Sequence, residues 1–211
     1  MNKTWDEFIL RMLYGNVYLG TAAQLHSFLA SLKEFPERAK LVASFAVAIH
    51  CVHFHIGMEL DPVTHALKVL FGRHLKELKH LEMCELSYMT NMFLLKQCLR
   101  GKIALTRLII QSTRPTSTDT SPSFIASIMT EFTHLEDLWV EISGSGGGGG
   151  KFAFCGCLSH SIDEDNTTLP ALKRIGICSV VKDDHWATTI RRVCPNLKRL
   201  EINGMTRFPV T

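Results

Sequence analysis

The sequence predicts an α/β solenoid, in which parallel strands are joined by helical crossovers and stacked in chain order. A short apolar pattern occurs seven times along the 211 residues. It consists of two apolar residues three positions apart and a third apolar residue two positions further on. The middle residues of successive copies are 25 to 37 positions apart, a period typical of stacked strand-plus-helix units. Segments with helical spacing lie between the copies, and such alternation requires parallel strands.

Each copy of the pattern, which we call the apolar triplet, predicts a strand. The clear copies are Leu78/Leu81/Met83, Leu105/Leu108/Ile110, Leu135/Leu138/Val140, Leu172/Ile175/Ile177 and Leu197/Leu200/Ile202, and looser copies are Tyr14/Val17/Leu19 and Val42/Phe45/Val47. The predicted strands lie near residues 42–49, 79–84, 106–111, 137–142, 174–179 and 199–203. A doubly wound open sheet fits the same alternation, but it has no reason to repeat its strand sequence. The repetition therefore favours the solenoid. The shortest spacings between successive copies fall within the range of leucine-rich repeats.

Helices are predicted near residues 23–34, 63–71, 89–99, 122–132 and 184–193. In the first, Leu25, Phe28, Leu29 and Leu32 follow the spacing of one helical face. In the second, Asp61 caps the start and Pro62 occupies the first turn. The last helix ends at Cys194–Pro195, because proline does not continue a helix.

Two segments interrupt the rhythm of the array, which we expect to span residues 1–211. Residues 113–121 are rich in Thr, Ser and Pro, which predicts an exposed loop. Residues 143–150 end in five consecutive glycines, whose backbone freedom makes order costly, so we expect a flexible insertion there. Residues 1–14 predict an amphipathic helix, with Trp5, Phe8, Ile9, Met12 and Leu13 on one face.

Composition excludes several classes of protein. Hydrophobic residues make up 46% and charged residues 20% of the chain, a balance that supports a buried core and argues against disorder. A net charge of +3 is too small to indicate nucleic acid or membrane as a partner. The longest apolar stretch, Leu41–Ile49, is far shorter than a membrane span. Seven irregularly placed cysteines without a secretory leader predict the cytoplasm or nucleus.

The clearest candidate metal cluster is His50–His55. Cys51, His53 and His55 would share one face of a continued strand, close enough to hold an ion, although no fourth ligand is evident. A small α/β enzyme or metal-binding protein using this cluster is therefore the alternative hypothesis. We nevertheless expect a strand end running into a loop, with no metal, cofactor or catalytic residue.

Two other motifs suggest no chemistry. Cys155, Cys157 and His160 lack the usual zinc spacing, and free thiols are the expectation. The glycine run before Lys151 departs twice from the phosphate-binding-loop template, at Ser145 and Phe152. The sequence thus predicts a protein that is not an enzyme.

A binding surface is easier to predict. Because side chains alternate along a strand, the residues beside each triplet point away from the core, onto the concave side of the predicted solenoid. We expect the following residues to bind protein: His80, Glu82, Arg107, Gln111, Asp137, Trp139, Glu141, Arg174, Arg199 and Glu201. Mixed charge around a large aromatic residue is typical of interface hot spots, so Trp139 is the leading candidate.

Two stretches carry a resemblance to a known family. The segment Cys194–Ile202 (Cys-Pro-Asn-Leu-Lys-Arg-Leu-Glu-Ile), together with the run from Leu13–Tyr14 through Leu25–Leu32 to Phe35–Val42, resembles the leucine-rich-repeat region of fungal F-box proteins. The resemblance implies a solenoid with helices outside, which binds the protein substrate of a cullin-type ubiquitin ligase. It implies an adaptor partner only if an F-box lies upstream. Residues 1–14 would be a capping helix or the remnant of an F-box, and the chain a truncated gene product.

Overall fold

The computed structural model describes residues 3–49, 62–84, 86, 88–112, 131–142, 169–178, 190–202 and 205–209. The protein is α/β, with parallel strands and helices. It divides into two compact units, Met1–Leu105 and Thr106–Thr211. None of the described helices is both long and apolar enough to cross a membrane.

The first unit contains three parallel strands in the order β1-β2-β3 and most of the described helices. In chain order its elements are α1 (Lys3–Gly15), β1 (Asn16–Leu19), α2 (Ala22–Glu34), a 3-10 helix (Pro36–Leu41), β2 (Ser44–Val47), α3 (Pro62–Val69), a π-helical turn (Leu70–His74), β3 (His80–Cys84) and α4 (Tyr88–Arg100).

The second unit contains four parallel strands in chain order and a fifth, antiparallel strand. They are β4 (Arg107–Ser112), β5 (Asp137–Ile142), β6 (Arg174–Cys178), β7 (Arg199–Ile202) and β8 (Met205–Pro209). Residues 190–193 are helical, as predicted for the end of the last helix. Strand β8 had no counterpart among the predicted elements, because it carries no apolar triplet.

The middle residues of the apolar triplets are register partners within each unit. In the first unit Val17 lies beside Phe45, and Phe45 beside Leu81. In the second unit the same row runs through Leu108, Leu138, Ile175 and Leu200. Except for Val17, which is half-buried, these residues are buried. The prediction that the triplets form successive rungs is confirmed inside both units. The described strands show no reversal of strand order of the kind that a doubly wound sheet requires.

A tight turn precedes most of the strands and repeats the same hydrogen bond. The amide of the first triplet residue donates to the carbonyl three residues earlier, at Leu78 to Leu75, Leu135 to Phe132, Leu172 to Leu169 and Leu197 to Cys194. The two residues after it then donate to one carbonyl of the preceding repeat. Glu136 and Asp137 both donate to Thr106, and Lys198 and Arg199 both donate to Lys173. Because these bonds join main-chain atoms, a similar local path recurs despite different side chains.

Helices cover the triplet face of the strands in the first unit. The ring of Phe45 on β2 lies 6.1 Å from that of Phe28 on α2 and 5.5 Å from that of Phe71 in the π-helical turn. Phe45 and Phe71 are fully buried. The core of this unit therefore lies between two layers, the strands on one side and α2 and the π-helical turn on the other. This is where the apolar faces of the helices and strands are expected to meet.

Local sequence signals set the helix ends. The Thr21 hydroxyl accepts a hydrogen bond from the Gln24 amide, while the Gln24 side chain accepts one from the Thr21 amide, which together form a capping box at the start of α2. Pro62 is the first residue of α3, as predicted. Helix α4 ends where Gly101 donates to the Gln97 carbonyl and Lys102 takes a positive φ of 55°.

The N-terminal segment agrees only in part with the sequence expectation. Residues Lys3–Gly15 form helix α1, as predicted, and Tyr14 of the first loose triplet lies near its end. Its hydroxyl is 2.7 Å from Ser31 Oγ and accepts a hydrogen bond from Arg38, which attaches α1 to the rest of the unit. The apolar face of α1 that the sequence indicates is exposed in this chain, with Trp5 64% and Met12 68% accessible. Helix α1 therefore contacts its unit through the opposite side.

Candidate functional site

The candidate site lies on the face of strands β4 to β7 that is opposite the apolar triplets. Alternation along each strand places Arg107 and Ile109 of β4 on this face, and the register aligns them with equivalent residues on the next strands. One row contains Arg107, Asp137, Arg174 and Arg199, and the next contains Ile109, Trp139, Gly176 and Glu201. The three arginines of the first row are exposed, so their charged groups reach solvent.

Asp137 joins the first row electrostatically. Its Oδ2 lies 3.3 Å from Arg107 Nε on one neighbouring strand and 2.8 Å from Arg174 on the other. The Asp137 side chain is only 17% accessible, whereas both arginines are about half accessible. One carboxylate thus holds two guanidinium groups at fixed positions, and both retain donors that face solvent.

Arg199 completes the row on β7. It forms an ion pair with Glu201, two residues further along the same strand and on the same face. At the edge of the strands, Lys173 donates a hydrogen bond to Glu136 over 2.8 Å. This bond lowers the pKa of Glu136, and the positive charges of Lys173, Arg174 and Lys198 lower it further. At the starts of β5 to β7, four basic side chains thus lie beside two carboxylates.

The second row is built around Trp139. Its indole lies across Gly176, its register partner on β6, and occupies the space that a Cβ atom of residue 176 would take. Gly176 is buried and Trp139 is half-buried, so one side of the ring rests on the backbone of the next strand. A residue that covers backbone in this way is held rigidly, which lowers the entropy cost of binding through it.

The remaining predicted residues fall into two groups. Gln111 on β4 is the register partner of Glu141 on β5, beyond the tryptophan row, and Gln111 is half-buried. His80 and Glu82 lie on β3 in the first unit, on the face opposite Leu81. There His80 is exposed, and the Glu82 carboxylate accepts a hydrogen bond from Cys84 over 3.4 Å. Among the ten predicted binding residues, Asp137 is the one that contacts both Arg107 and Arg174.

The sequence motifs that were considered for metal or phosphate binding are not among the residues that the structure describes. His50–His55, the Cys155–His160 segment and the glycine run all lie outside them. Within the described ranges, no group of three His, Cys, Asp or Glu side chains is placed to hold a metal ion. Cys98 and Cys194 are buried free thiols there.

The sequence analysis did not predict two features of the fold and site. Gly176 occupies the same place in its triplet as Trp139 does in the preceding one, and comparing equivalent positions would have shown the pair. Five of the seven triplets also have an apolar residue three positions before their first member. That residue is buried in five repeats: Ala39, Leu75, Phe132, Leu169 and Cys194. The repeat is therefore longer than the pattern from which the strands were predicted.

Comparison with known proteins identifies no family for this chain. Neither a protein-family model nor a curated protein sequence matches the chain.

Proposed function

We propose that this chain is a protein-recognition module of the leucine-rich-repeat type, which binds a partner protein through the strand face around Trp139. In this proposal the strands line the concave side of an irregular solenoid and the helices lie outside. The repeated turn, with two amides donating to one carbonyl of the preceding repeat, supports such stacking, because each repeat then takes its register from its predecessor.

The observation that carries the proposal is the ion-paired arginine row beside the tryptophan. Arg107 and Arg174 are fixed by Asp137, and Trp139 is fixed by Gly176. Tryptophan and arginine are the residues most often found at the energetic centre of interfaces. Because both types are positioned before any partner arrives, binding costs little side-chain entropy.

The resemblance to F-box proteins extends the proposal. The partner would then be a substrate delivered to a cullin-type ubiquitin ligase, and the ligase adaptor would bind through an F-box upstream of the repeats. The parallel strands that follow one another in chain order within each unit are compatible with this role.

Quantitative affinity capture from cell lysate tests the strand face. Wild-type chain is compared with Trp139→Ala and Arg199→Glu, and with Arg191→Glu as a matched control. Arg191 is exposed in the helical segment of the same unit, so the control reverses one charge outside the strand face. We expect both strand-face variants to lose the same captured protein while the control retains it.

Two results would contradict the proposal. One is a captured set that does not differ between wild type and the strand-face variants. The other is an equal loss with Arg191→Glu, which would indicate a general effect of charge. The ligase role is examined in the same samples, since an adaptor protein should co-purify only with a chain that carries an F-box.

A further inference from the structure

A groove lies between two helices of the first unit, separate from the strand face. Its walls are α3 with the π-helical turn on one side and α4 on the other, and its volume is about 370 Å³. The basic side chains that line it are His65, Lys68 and Arg73 on the first wall and Arg100 on the second. This volume is at the small end of the range found for ligand pockets.

The charge of the groove is one-sided. None of its lining residues is acidic. Among the described residues, Lys68, Arg73 and Arg100 have no carboxylate partner within ion-pair distance. Next to Arg73, burial lowers the pKa of His74, and the charges of Lys33 and Arg73 lower it further. The groove is therefore a site of positive potential without an internal counter-charge.

A buried polar group faces this charge. Gln97 on α4 is 5% accessible and lines the groove, and its side-chain amide makes no hydrogen bond within the described part of the chain. An amide buried without a partner is costly, so such groups are rare unless a bound water or a ligand satisfies them. The Gln97 amide can donate to an oxygen atom of a ligand that the arginines attract.

The rim of the groove is open at Gly72. A Cβ atom there would meet no atom within 4 Å outside its own helix and its chain neighbours. Lys76 Nζ donates to the carbonyls of Gly72 and Gly101, over 2.8 Å and 3.2 Å. This lysine places a positive charge beside the carbonyl ends of both helices, which reduces their repulsion of an anion.

We propose that this groove binds a phosphate monoester dianion. The guanidinium groups of Arg73 and Arg100 suit the planar, two-point recognition of phosphate oxygens, and Lys68 adds a point charge. Gln97 donates the hydrogen bond that a simple positive patch lacks. A small phosphorylated molecule and a phosphorylated side chain of a peptide carry this same chemistry.

Solution NMR of the full chain tests the proposal, with inorganic phosphate as the probe at constant ionic strength. The side-chain NH₂ signal of Gln97 is assigned by its absence in Gln97→Leu. We expect this signal to shift and saturate with phosphate but not with chloride. Arg73→Gln should weaken binding roughly tenfold, the loss typical of one charge-assisted hydrogen bond. The matched control is Lys96→Gln on the exposed side of α4, which should leave the dissociation constant unchanged.

Separate titrations with glycerol phosphate and with a short phosphoserine peptide distinguish the two sources of the group. Whichever binds more tightly than inorganic phosphate identifies the ligand class. A Gln97 signal that does not move with phosphate would overturn the proposal. So would an equal loss of affinity in Lys96→Gln and Arg73→Gln, which would show that only the net charge of the chain matters. The strand-face proposal is unaffected by either outcome.

Discussion

The indole of Trp139 lies on the backbone of Gly176, its register partner on the neighbouring strand. Glycine weakens a strand interior because it has no side chain to pack, and an aromatic ring on the adjacent strand compensates by covering the exposed backbone. The two residues therefore form one structural unit, in which the absence of a side chain at residue 176 sets the position of the aromatic ring.

Gly176→Ala tests this relationship. The new methyl group overlaps the indole, so the ring must leave its place, and we expect the free energy of unfolding to fall by about 1–3 kcal/mol, as in an overpacked core. In a Trp139→Ala background the overlap is gone. There the same substitution should be neutral or stabilising by about 0.5–1 kcal/mol, because alanine loses less backbone entropy than glycine. Urea denaturation of the four chains gives the coupling energy.

The ion-paired row gives a second prediction. Asp137→Asn leaves the guanidinium groups of Arg107 and Arg174 near one another without a counter-charge, and we expect a loss of about 1 kcal/mol in the free energy of unfolding. The loss should shrink as NaCl is added, because salt screens charges at this exposed face.

Glu136→Gln is the matched control for Asp137→Asn. It removes the carboxylate of the preceding residue, which pairs with Lys173 at an exposed position, so a smaller effect is expected. An equal loss in both variants would show that Asp137 does not organise the row.

The strand register was predictable because it depends on a pattern that the sequence repeats. Leu138 and Ile175 occupy the same position in their triplets, and burying the same face of each strand aligns them. The arginine row follows from that alignment, since residues before the middle position of each triplet must also be neighbours. Once the triplet residues are predicted to be register partners, the rows on either side of them follow.

Other features depend on contacts that no local pattern encodes. The exposed face of α1 has the apolar spacing of a core helix, yet Tyr14 attaches the helix through its other side. The groove between α3 and α4 arises from two segments about 30 residues apart, whose basic residues appear in the sequence as ordinary helix ends. The association of Trp139 with Gly176 becomes visible only when equivalent positions of neighbouring triplets are compared.

A third prediction concerns the buried amide of Gln97. Gln97→Leu keeps the approximate volume and removes a polar group that has no partner in the described part of the chain, so the free energy of unfolding should rise by about 1–3 kcal/mol in the absence of phosphate. Thermal unfolding measures the change. Lys96→Leu on the same helix is the control, and a similar gain there would show that helix propensity or added apolar surface is responsible.

The buried thiols give a prediction about alkaline pH. Burial raises the pKa of Cys98 far above its ordinary value of 9.0, and it raises that of Cys194 to about 12. Below pH 9 both thiols are neutral in the folded and the unfolded chain, so neither makes stability depend on pH. As the pH rises above 9, the unfolded chain releases these protons while the folded chain retains them, and the free energy of unfolding falls.

Each such thiol contributes a slope of about 1.4 kcal/mol per pH unit in that window. We therefore expect Cys98→Ala to be less stable than wild type at pH 8, because it leaves a cavity, but to lose stability less steeply above pH 9. Cys84→Ala is the control, since the thiol of Cys84 is only half-buried and donates to Glu82. Parallel stability curves for wild type and Cys98→Ala between pH 9 and 10.5 would contradict the prediction, because they would mean that Cys98 ionises as readily in the folded chain as in the unfolded one.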